Sequence, residues 1–181
     1  MVMRPQLSRD SWLDEALRVL AELGHEALRA EPLAKRLGVS RGSFYWHFRD
    51  VPAFHDAVLE RWETVTVDRP LERIRLPSGD RRQNELNRLI RIAFDAPVAL
   101  ERAVHGWAAV FAPAAERVAA VNRRRTTELA SMFETAGLSS QAADASAVVL
   151  YWTYLGRVLV RDLPPNADRL NEVLARLGVD A

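Results

Sequence analysis

Apolar side chains recur at intervals of three and four residues along almost the whole chain. No stretch shows the strict alternation of apolar and polar residues that a half-buried strand requires. Because an α-helix repeats every 3.6 residues and a strand every two, this spacing indicates helices throughout. The sequence therefore predicts an all-α protein, divided into helices by its Gly, Pro and Ser residues.

The N-terminal part of the chain is predicted to form four helices, the second and third of them short. Their predicted caps and ends are, in chain order, Ser8 or Ser11, Gly24, Pro32, Gly38, Ser40 and Asp50. The fourth helix is predicted over about 51–67, and residues 68–80, with two prolines and a Ser-Gly pair, are predicted to connect two domains. The predicted domains are a helix-turn-helix domain over 1–50, with the fourth helix as connection, and a helical regulatory and dimerisation domain over 68–181.

Several classes of function are disfavoured by what the sequence lacks. The 181 residues include no cysteine, which excludes disulfides and thiolate metal sites. No histidine pair has metal-ligand spacing, and there is no Gly-rich phosphate loop or nucleophile elbow, so we expect no metal, no cofactor and no enzyme. The longest uncharged helical run, 145–156, is too short to span a bilayer, and the first residues do not resemble a signal peptide. A cytoplasmic protein without membrane association is expected.

Positive charge is concentrated in one short segment although the net charge is only +1. Residues 35–49 contain no acid and carry Lys35, Arg36, Arg41, His47 and Arg49. A local basic stripe in a neutral protein is typical of a compact DNA-binding element, although a solvated helix face would have the same charge.

Residues 28–50 have the pattern of a helix-turn-helix. Gly38 is predicted to supply the unusual backbone angle of the turn, Val39 to fill it from the core side, and Ser40 to cap the next helix. The side chains predicted to join the two helices are Leu33, Ala34, Leu37, Phe44 and Phe48.

The outer face of the third helix then carries unusual side chains for a surface. Large aromatics left exposed usually mark a contact with another molecule. Tyr45 and His47 can donate to phosphates, Trp46 can lie against sugar or base, and Arg41 can bind a guanine edge. The sequence thus favours double-stranded DNA as partner, with a protein-docking surface as the alternative.

Residues 33–48, with Gly38-Val39-Ser40 followed by Tyr45-Trp46-His47-Phe48, resemble the DNA-binding domain of TetR-family regulators. The resemblance implies that Arg41, Gly42 and Ser43 face base edges, that Tyr45 and His47 bind phosphates, and that Trp46 packs on the DNA backbone. Two departures stand out, because Val51-Pro52 replaces a phosphate-binding lysine region and Glu31 lies at the start of the second helix. We expect either weaker phosphate binding or compensation by Arg29, Arg49 or the N-terminal Arg4 and Arg9.

The resemblance also implies about nine helices, a C-terminal ligand pocket and a homodimer. The helix around 148–160 is apolar on more than one side, so it is covered either by a second subunit or, equally well, by its own domain. The residues predicted for dimerisation are Val148, Trp152, Leu155, Gly156, Leu159, Leu170 and Leu174.

We therefore expect a dimeric repressor on a roughly palindromic operator, released by an unknown small-molecule effector. The predicted pocket residues, several of which fit an ordinary core equally well, are Arg102, His105, Trp107, Phe111, Asn122, Arg125, Met132, Phe133, Tyr151 and Trp152. A regulator without a small-molecule ligand, either constitutive or controlled by a partner, is the alternative.

Overall fold

The computed structural model describes residues 7–75, 85–160 and residue 172. Within these residues the secondary structure is helical, which confirms the all-α prediction. The elements are α1 (Arg9–Leu23), a 3-10 turn (His25–Ala27), α2 (Ala30–Leu37), α3 (Arg41–His47), α4 (Val51–Glu63), a π-helical turn (Thr64–Asp68), α5 (Arg69–Arg75), α6 (Glu85–Asp95), α7 (Ala99–Ala108), α8 (Ala112–Thr135) and α9 (Ser140–Leu159). The helix predicted around residues 170–177 lies outside the described part of the chain. No helix among the described residues is long and apolar enough to cross a membrane.

Three helices begin at residues whose side chains accept a free backbone N–H. The Ser8 Oγ accepts from Ser11 N at 3.1 Å and the Asp50 Oδ1 from Ala53 N at 2.8 Å. The Ser139 Oγ accepts from Ala142 N at 3.4 Å. Asp50 is the cap that the sequence predicted for the fourth helix, and Ser8 is one of the two candidates, Ser8 and Ser11, that it gave for the first.

The connection predicted over 68–80 is wrong for its first half. Residues Arg69–Arg75 form α5, which follows α4 through the π-helical turn, whereas residues 76–80 lie outside the described part. Proline has no N–H and its ring collides with the carbonyl four residues earlier in a regular helix. Pro70 is tolerated because it stands at the start of α5, directly after the wider π turn.

The chain divides into two compact units that interleave along the sequence. Unit one is Met1–Thr64 with Ala99–Val118, and unit two is Val65–Val98 with Ala119–Ala181. The segment Ala99–Val118, which the sequence analysis placed in the C-terminal domain, thus lies in the same compact unit as the helix-turn-helix. The functional domain boundaries stay a prediction.

Unit one is built around α1, which packs against α2, α4 and α7. Its core is strongly aromatic, with Trp12, Phe44, Phe54, Trp62 and Trp107 at most 1% exposed. A buried carboxylate also lies in this unit, since Glu101 Oε1 accepts from Trp62 Nε1 at 3.0 Å. This bond could not be predicted from the sequence, because its partners are 39 residues apart in the chain.

Unit two buries a second core of mainly aliphatic residues. The pair α5 and α6 pack together, and Ile74, Leu86, Ile90 and Phe94 are buried on them. In the same unit, the Tyr151 hydroxyl of α9 donates to Asn122 Oδ1 of α8 at 2.6 Å. This bond fixes the register of two long helices whose buried stripes are otherwise apolar.

Candidate nucleic-acid interface

The turn between α2 and α3 depends on Gly38, as predicted. Gly38 has φ 69° and ψ 29°, the left-handed conformation that side chains with a Cβ rarely adopt. Gly38 N–H donates to Lys35 O at 3.2 Å and Val39 N–H to Ala34 O at 3.0 Å. These are the two bonds of a Schellman motif, which ends α2 and turns the chain into α3.

Ser40 occupies the N-cap position of α3, but its side chain makes no capping hydrogen bond. The prediction of a side-chain cap is therefore wrong. The Ser43 N–H, which a capping hydroxyl would bind, donates instead to the Ser40 main-chain carbonyl at 3.0 Å. The first turn of α3 is thus closed by the backbone alone.

The inner face of α3 is held by an aromatic cluster. Phe44 is 0% exposed, and its ring lies 5.6 Å from Trp12 of α1 and 5.1 Å from Phe54 of α4, both edge to face. Phe48, just after α3, lies 4.9 Å from Phe54. Edge-to-face pairs at these centroid distances are attractive in addition to the area they bury. The cluster therefore fixes which face of α3 is turned outward.

The outer face of α3 is exposed and aromatic. Trp46 is 84% exposed and Tyr45 49% exposed, although both belong to the residue types that proteins usually bury. Arg41 and Gly42 are exposed as well. These four residues form what we call the α3 face.

Two other residues predicted to contact DNA are less exposed than the sequence suggested. Ser43 and His47 are half-buried, and the His47 ring lies 6.5 Å from that of Trp12. His47 therefore stands at the edge of the α3 face, partly packed on α1. Its surroundings were not visible in the sequence because Trp12 is 35 residues away in the chain.

Arg41 and Tyr45 are coupled along one side of α3. The Arg41 Nη2 donates to Tyr45 Oη at 3.4 Å, and the guanidinium carbon lies 6.0 Å from the ring centroid. The hydrogen bond to Tyr45 raises the pKa of Arg41, and the charges of Tyr45 and Glu31 raise it further. Arg41 thus remains a cation under all ordinary conditions.

The predicted phosphate ligands Arg29 and Arg49 are both exposed at helix ends. The Arg29 Nε donates to Glu26 O at 2.8 Å, and the Arg49 Nε donates to Asp50 Oδ2 at 2.8 Å. The Ala53 N–H and then the Arg49 guanidinium lower the pKa of Asp50, which stays ionised. The Arg49 guanidinium is therefore paired with Asp50 on one side and accessible to solvent on the other.

Arg36, a member of the basic stripe, is occupied inside the domain. Its Nε donates to Glu15 Oε1 at 2.7 Å and its Nη2 to Glu22 Oε2 at 2.9 Å, which joins α2 to α1. Arg18 donates to the second Glu15 oxygen at 2.8 Å. Burial raises the pKa of Glu15, but the bonds from Arg36 and Arg18 outweigh this and the pKa is lowered. The basic stripe alone could not show this, because the acids belong to another helix.

The predicted pocket residues fall into both units. In unit one, Trp107 is buried with its ring stacked on Phe111 at 5.7 Å and on His25 at 6.1 Å. His55 meets the same indole edge to face at 5.1 Å, while its Nε2 lies 3.1 Å from Leu28 O. Arg102 and His105 of α7 are half-buried in this unit. Their role as ligand residues stays a prediction.

The other predicted pocket residues belong to unit two. Met132, Phe133 and Tyr151 are buried, and Asn122 and Arg125 are half-buried. The Arg125 guanidinium carbon lies 5.7 Å from the Tyr154 ring, and its Nη2 donates to Thr66 Oγ1 at 2.9 Å. Polar and aromatic side chains thus lie side by side in this unit. The contacts of Tyr154 and Thr66 with Arg125 could not be predicted from the spacing of residues in the sequence.

The residues predicted for dimerisation divide by exposure. Trp152 is 67% exposed, and Val148 and Leu159 are exposed on the same side of α9, while Leu155 and Gly156 are half-buried. Tyr151, a predicted pocket residue, is buried, as is Leu150. Leu170 and Leu174 lie outside the described residues. Nor do the described residues contain a group of three His, Asp or Glu side chains that could hold a metal ion.

Comparison with known proteins identifies the helices that carry the α3 face. The family described as bacterial regulatory proteins, tetR family, matches residues 13–50. Residues 13–50 are thus similar to the DNA-binding region of the TetR family. The match covers α1 from residue 13 onward, α2, α3 and the turn at Gly38, which is the part of unit one that presents the α3 face.

Curated TetR-type relatives match this chain over the same N-terminal region. The class C tetracycline repressor protein of Escherichia coli is 38% identical over 60 residues, 33% of this chain and 27% of that protein. The regulator AcrR of Shigella flexneri is 40% identical over 58 residues, 32% of this chain and 26% of that protein. The chain thus spans about a quarter of the length of these relatives.

Solved structures extend the likeness of fold to nearly the whole chain. A protein of Rhodococcus sp., assigned to the TetR-family transcriptional regulators, has a TM-score of 0.69 at 21% identity and covers 96% of this chain and 98% of its own. A transcriptional-regulator structure from Saccharomonospora viridis, in complex with choline, has a TM-score of 0.72 at 19% identity over 93% and 94%. At these identities the likeness shows the fold.

Proposed function

We propose that this protein is a sequence-specific DNA-binding transcriptional regulator whose α3 enters the major groove. The observation that carries the proposal is the α3 face, where Tyr45 and Trp46 are exposed while Phe44 and Phe48 anchor the same helix in the core. A helix that is anchored on its inner face and carries exposed aromatic and cationic side chains on its outer face fits the docking geometry of a helix-turn-helix recognition helix. The TetR-family match over residues 13–50 supports the same function.

The charges around α3 suit a phosphate backbone on either side of the groove. Lys35 and Arg41 are exposed, and Arg29 and Arg49 stand at the ends of the neighbouring helices. Phosphate contacts position a protein on DNA, whereas contacts to base edges give the sequence preference. In this proposal Arg41, Gly42 and Ser43 face bases, and Tyr45, Trp46, His47, Arg29 and Arg49 face the backbone.

A homodimer is the second part of the proposal. The outward side of α9 exposes an apolar stripe of Val148, Val149, Trp152 and Leu159. Exposure of such a stripe to water is unfavourable. A second copy of α9 covers such a stripe in a two-fold arrangement, because the same patch then buries itself on both subunits. Two recognition helices about 34–36 Å apart would then bind successive major grooves of a roughly palindromic operator.

Control by a small-molecule effector is the third part. A ligand that binds better to the conformation with poor DNA affinity weakens DNA binding by the same coupling free energy. Polar and aromatic side chains meet in unit two around Asn122, Tyr151 and Arg125. This composition suits an effector that has both polar and apolar groups. The similar structure from S. viridis is a complex with choline, and this observation concerns that protein. A regulator without a ligand is the second candidate function.

Sequencing the genomic fragments that the purified protein retains would test the DNA-binding proposal directly. A recurrent palindromic sequence is expected, with an affinity that falls steeply as salt rises because phosphate contacts release counterions. Trp46→Ala should weaken binding about tenfold or more without loss of folding, because its side chain contributes little to the core. Val110→Ala, at a residue that is 70% exposed and outside the α3 face, is the matched control. Salt-independent binding to protein instead of DNA would refute the proposal.

A further inference from the structure

The Tyr45 ring is held in place although it is exposed on the α3 face. It lies 5.2 Å from the Phe44 ring, edge to face. Phe44 is 0% exposed and packs in turn on the rings of Trp12 and Phe54. The core of unit one therefore restricts where the Tyr45 ring and its hydroxyl can lie.

Tyr45 in turn contacts Arg41, one helical turn earlier on α3. The Arg41 Nη2 donates to Tyr45 Oη at 3.4 Å, and the guanidinium carbon lies 6.0 Å from the centroid of the ring. Side chains four residues apart share one face of a helix, so both contacts fit regular helical geometry. This hydrogen bond engages one N–H of the guanidinium, and the remaining N–H groups suit the O6 and N7 atoms of a guanine.

The direction of this hydrogen bond decides what the Tyr45 hydroxyl can do next. A guanidinium only donates, so Tyr45 Oη is the acceptor and its own O–H is still able to donate. A phosphate oxygen only accepts, which makes it a suitable second partner for that O–H. One hydroxyl thus has a place for a base-reading arginine and a place for the DNA backbone.

We propose that Tyr45 is a positioning residue that orients Arg41 toward a base edge while its hydroxyl binds a phosphate. The inference rests on the proposed DNA-binding function. The bidentate contact of arginine to guanine demands a fixed orientation of the planar guanidinium. A guanidinium that is already restrained loses less conformational freedom when it forms that contact. Tyr45 therefore increases affinity for the preferred base pair more than affinity for other sequences.

Tyr45→Phe tests the proposal because it removes the hydroxyl and keeps the ring beside Phe44. The probes are a duplex that carries the sequence retained from genomic DNA and each single base-pair variant of that duplex. Tyr45→Phe should weaken binding to every duplex about three- to tenfold, through the lost phosphate contact. At the base pair whose preference depends on Arg41, the preference should fall about three- to fivefold in addition.

Two further variants separate positioning from the loss of a phosphate contact. In an Arg41→Ala background, which also identifies the base pair that Arg41 reads, Tyr45→Phe should weaken binding to all duplexes equally. Lys35→Gln removes an exposed cation of α2 and keeps the pair of Arg41 and Tyr45, so it should weaken binding to all duplexes equally as well. Circular dichroism should show the helix content of the wild type for each variant, because all three side chains are exposed.

A Tyr45→Phe protein with unchanged base-pair preferences would overturn the positioning role, because Tyr45 would then contact phosphate alone. A change in preference that persists without Arg41, or that Lys35→Gln reproduces, would overturn it as well. An Arg41→Ala protein with unaltered preferences would leave Tyr45 nothing to position and would overturn the inference, while the DNA-binding proposal would stand. A wild-type protein that retains no recurrent sequence would instead overturn the proposed function itself.

Discussion

Single residues decide what the α3 face can contact. Gly42 is the smallest residue on it, and a Cβ built there would meet only the Ser40 Oγ, at 3.7 Å, which is ordinary contact. The fold therefore does not require a glycine at this position. We infer that the approach of the DNA does, because glycine lets a ligand come close to the backbone.

Gly42→Ala should weaken DNA binding at least tenfold while the free energy of unfolding stays equal or rises by up to about 1 kcal/mol, since alanine is the better helix former. Gel shifts with a duplex that carries the sequence retained from genomic DNA measure the DNA affinity, and urea unfolding measures the free energy of unfolding. Gly106→Ala is the matched control, because it is also helical and has nothing within 4 Å. Unchanged DNA affinity of Gly42→Ala would show that this position lies away from the groove.

At the scale of elements, the sequence predicted the helices better than the contacts between them. Caps and turns are local, so Gly38 and Asp50 could be placed from neighbouring residues alone, and the first cap could be narrowed to Ser8 or Ser11. The same local rule failed at Ser40, where the backbone satisfies the amide that a side chain could have bound. Links between helices were not predictable, because their partners are distant in the chain.

The link between α1 and α2 is the example with a pH consequence. Glu15 accepts from Arg36 and Arg18, and its folded-state pKa is below the ordinary 4.5. A depressed carboxyl pKa contributes stability above the unfolded pKa, and that contribution disappears as pH falls through the folded value. Glu15→Gln should therefore be less stable than the wild type by about 1–3 kcal/mol at pH 7. In urea unfolding the gap should narrow below about pH 4.5. A gap independent of pH would mean that Glu15 acts through packing alone.

For the whole molecule, the sequence predicted the fold class and the exposed α3 face, but it did not show which side of α9 is exposed. The apolar pattern of α9 indicated two covered sides without showing which was the outer one. Burial depends on how neighbouring helices pack, and that assigns Tyr151 to the core and Trp152 to the surface. Pocket residues were least predictable, because an aromatic stripe suits a core and a cavity equally well.

Trp152→Glu should convert the proposed dimer to a monomer, because it places a charge in the centre of the apolar stripe. Sedimentation at micromolar concentration measures the change, and circular dichroism should show an intact helical fold, since Trp152 is 67% exposed. Val110→Glu, which alters an exposed apolar residue outside α9, should stay dimeric. A Trp152→Glu protein that sediments as a dimer would place the subunit contact elsewhere.

The closure of α3 by its backbone has a consequence for the free protein. A helix of seven residues without a side-chain cap has little stability of its own and depends on Phe44 and Phe48 for its place. Such a segment opens locally, at a lower free energy than global unfolding. Association with an operator would thus also tighten the helix, and part of the intrinsic binding free energy would be spent on ordering it.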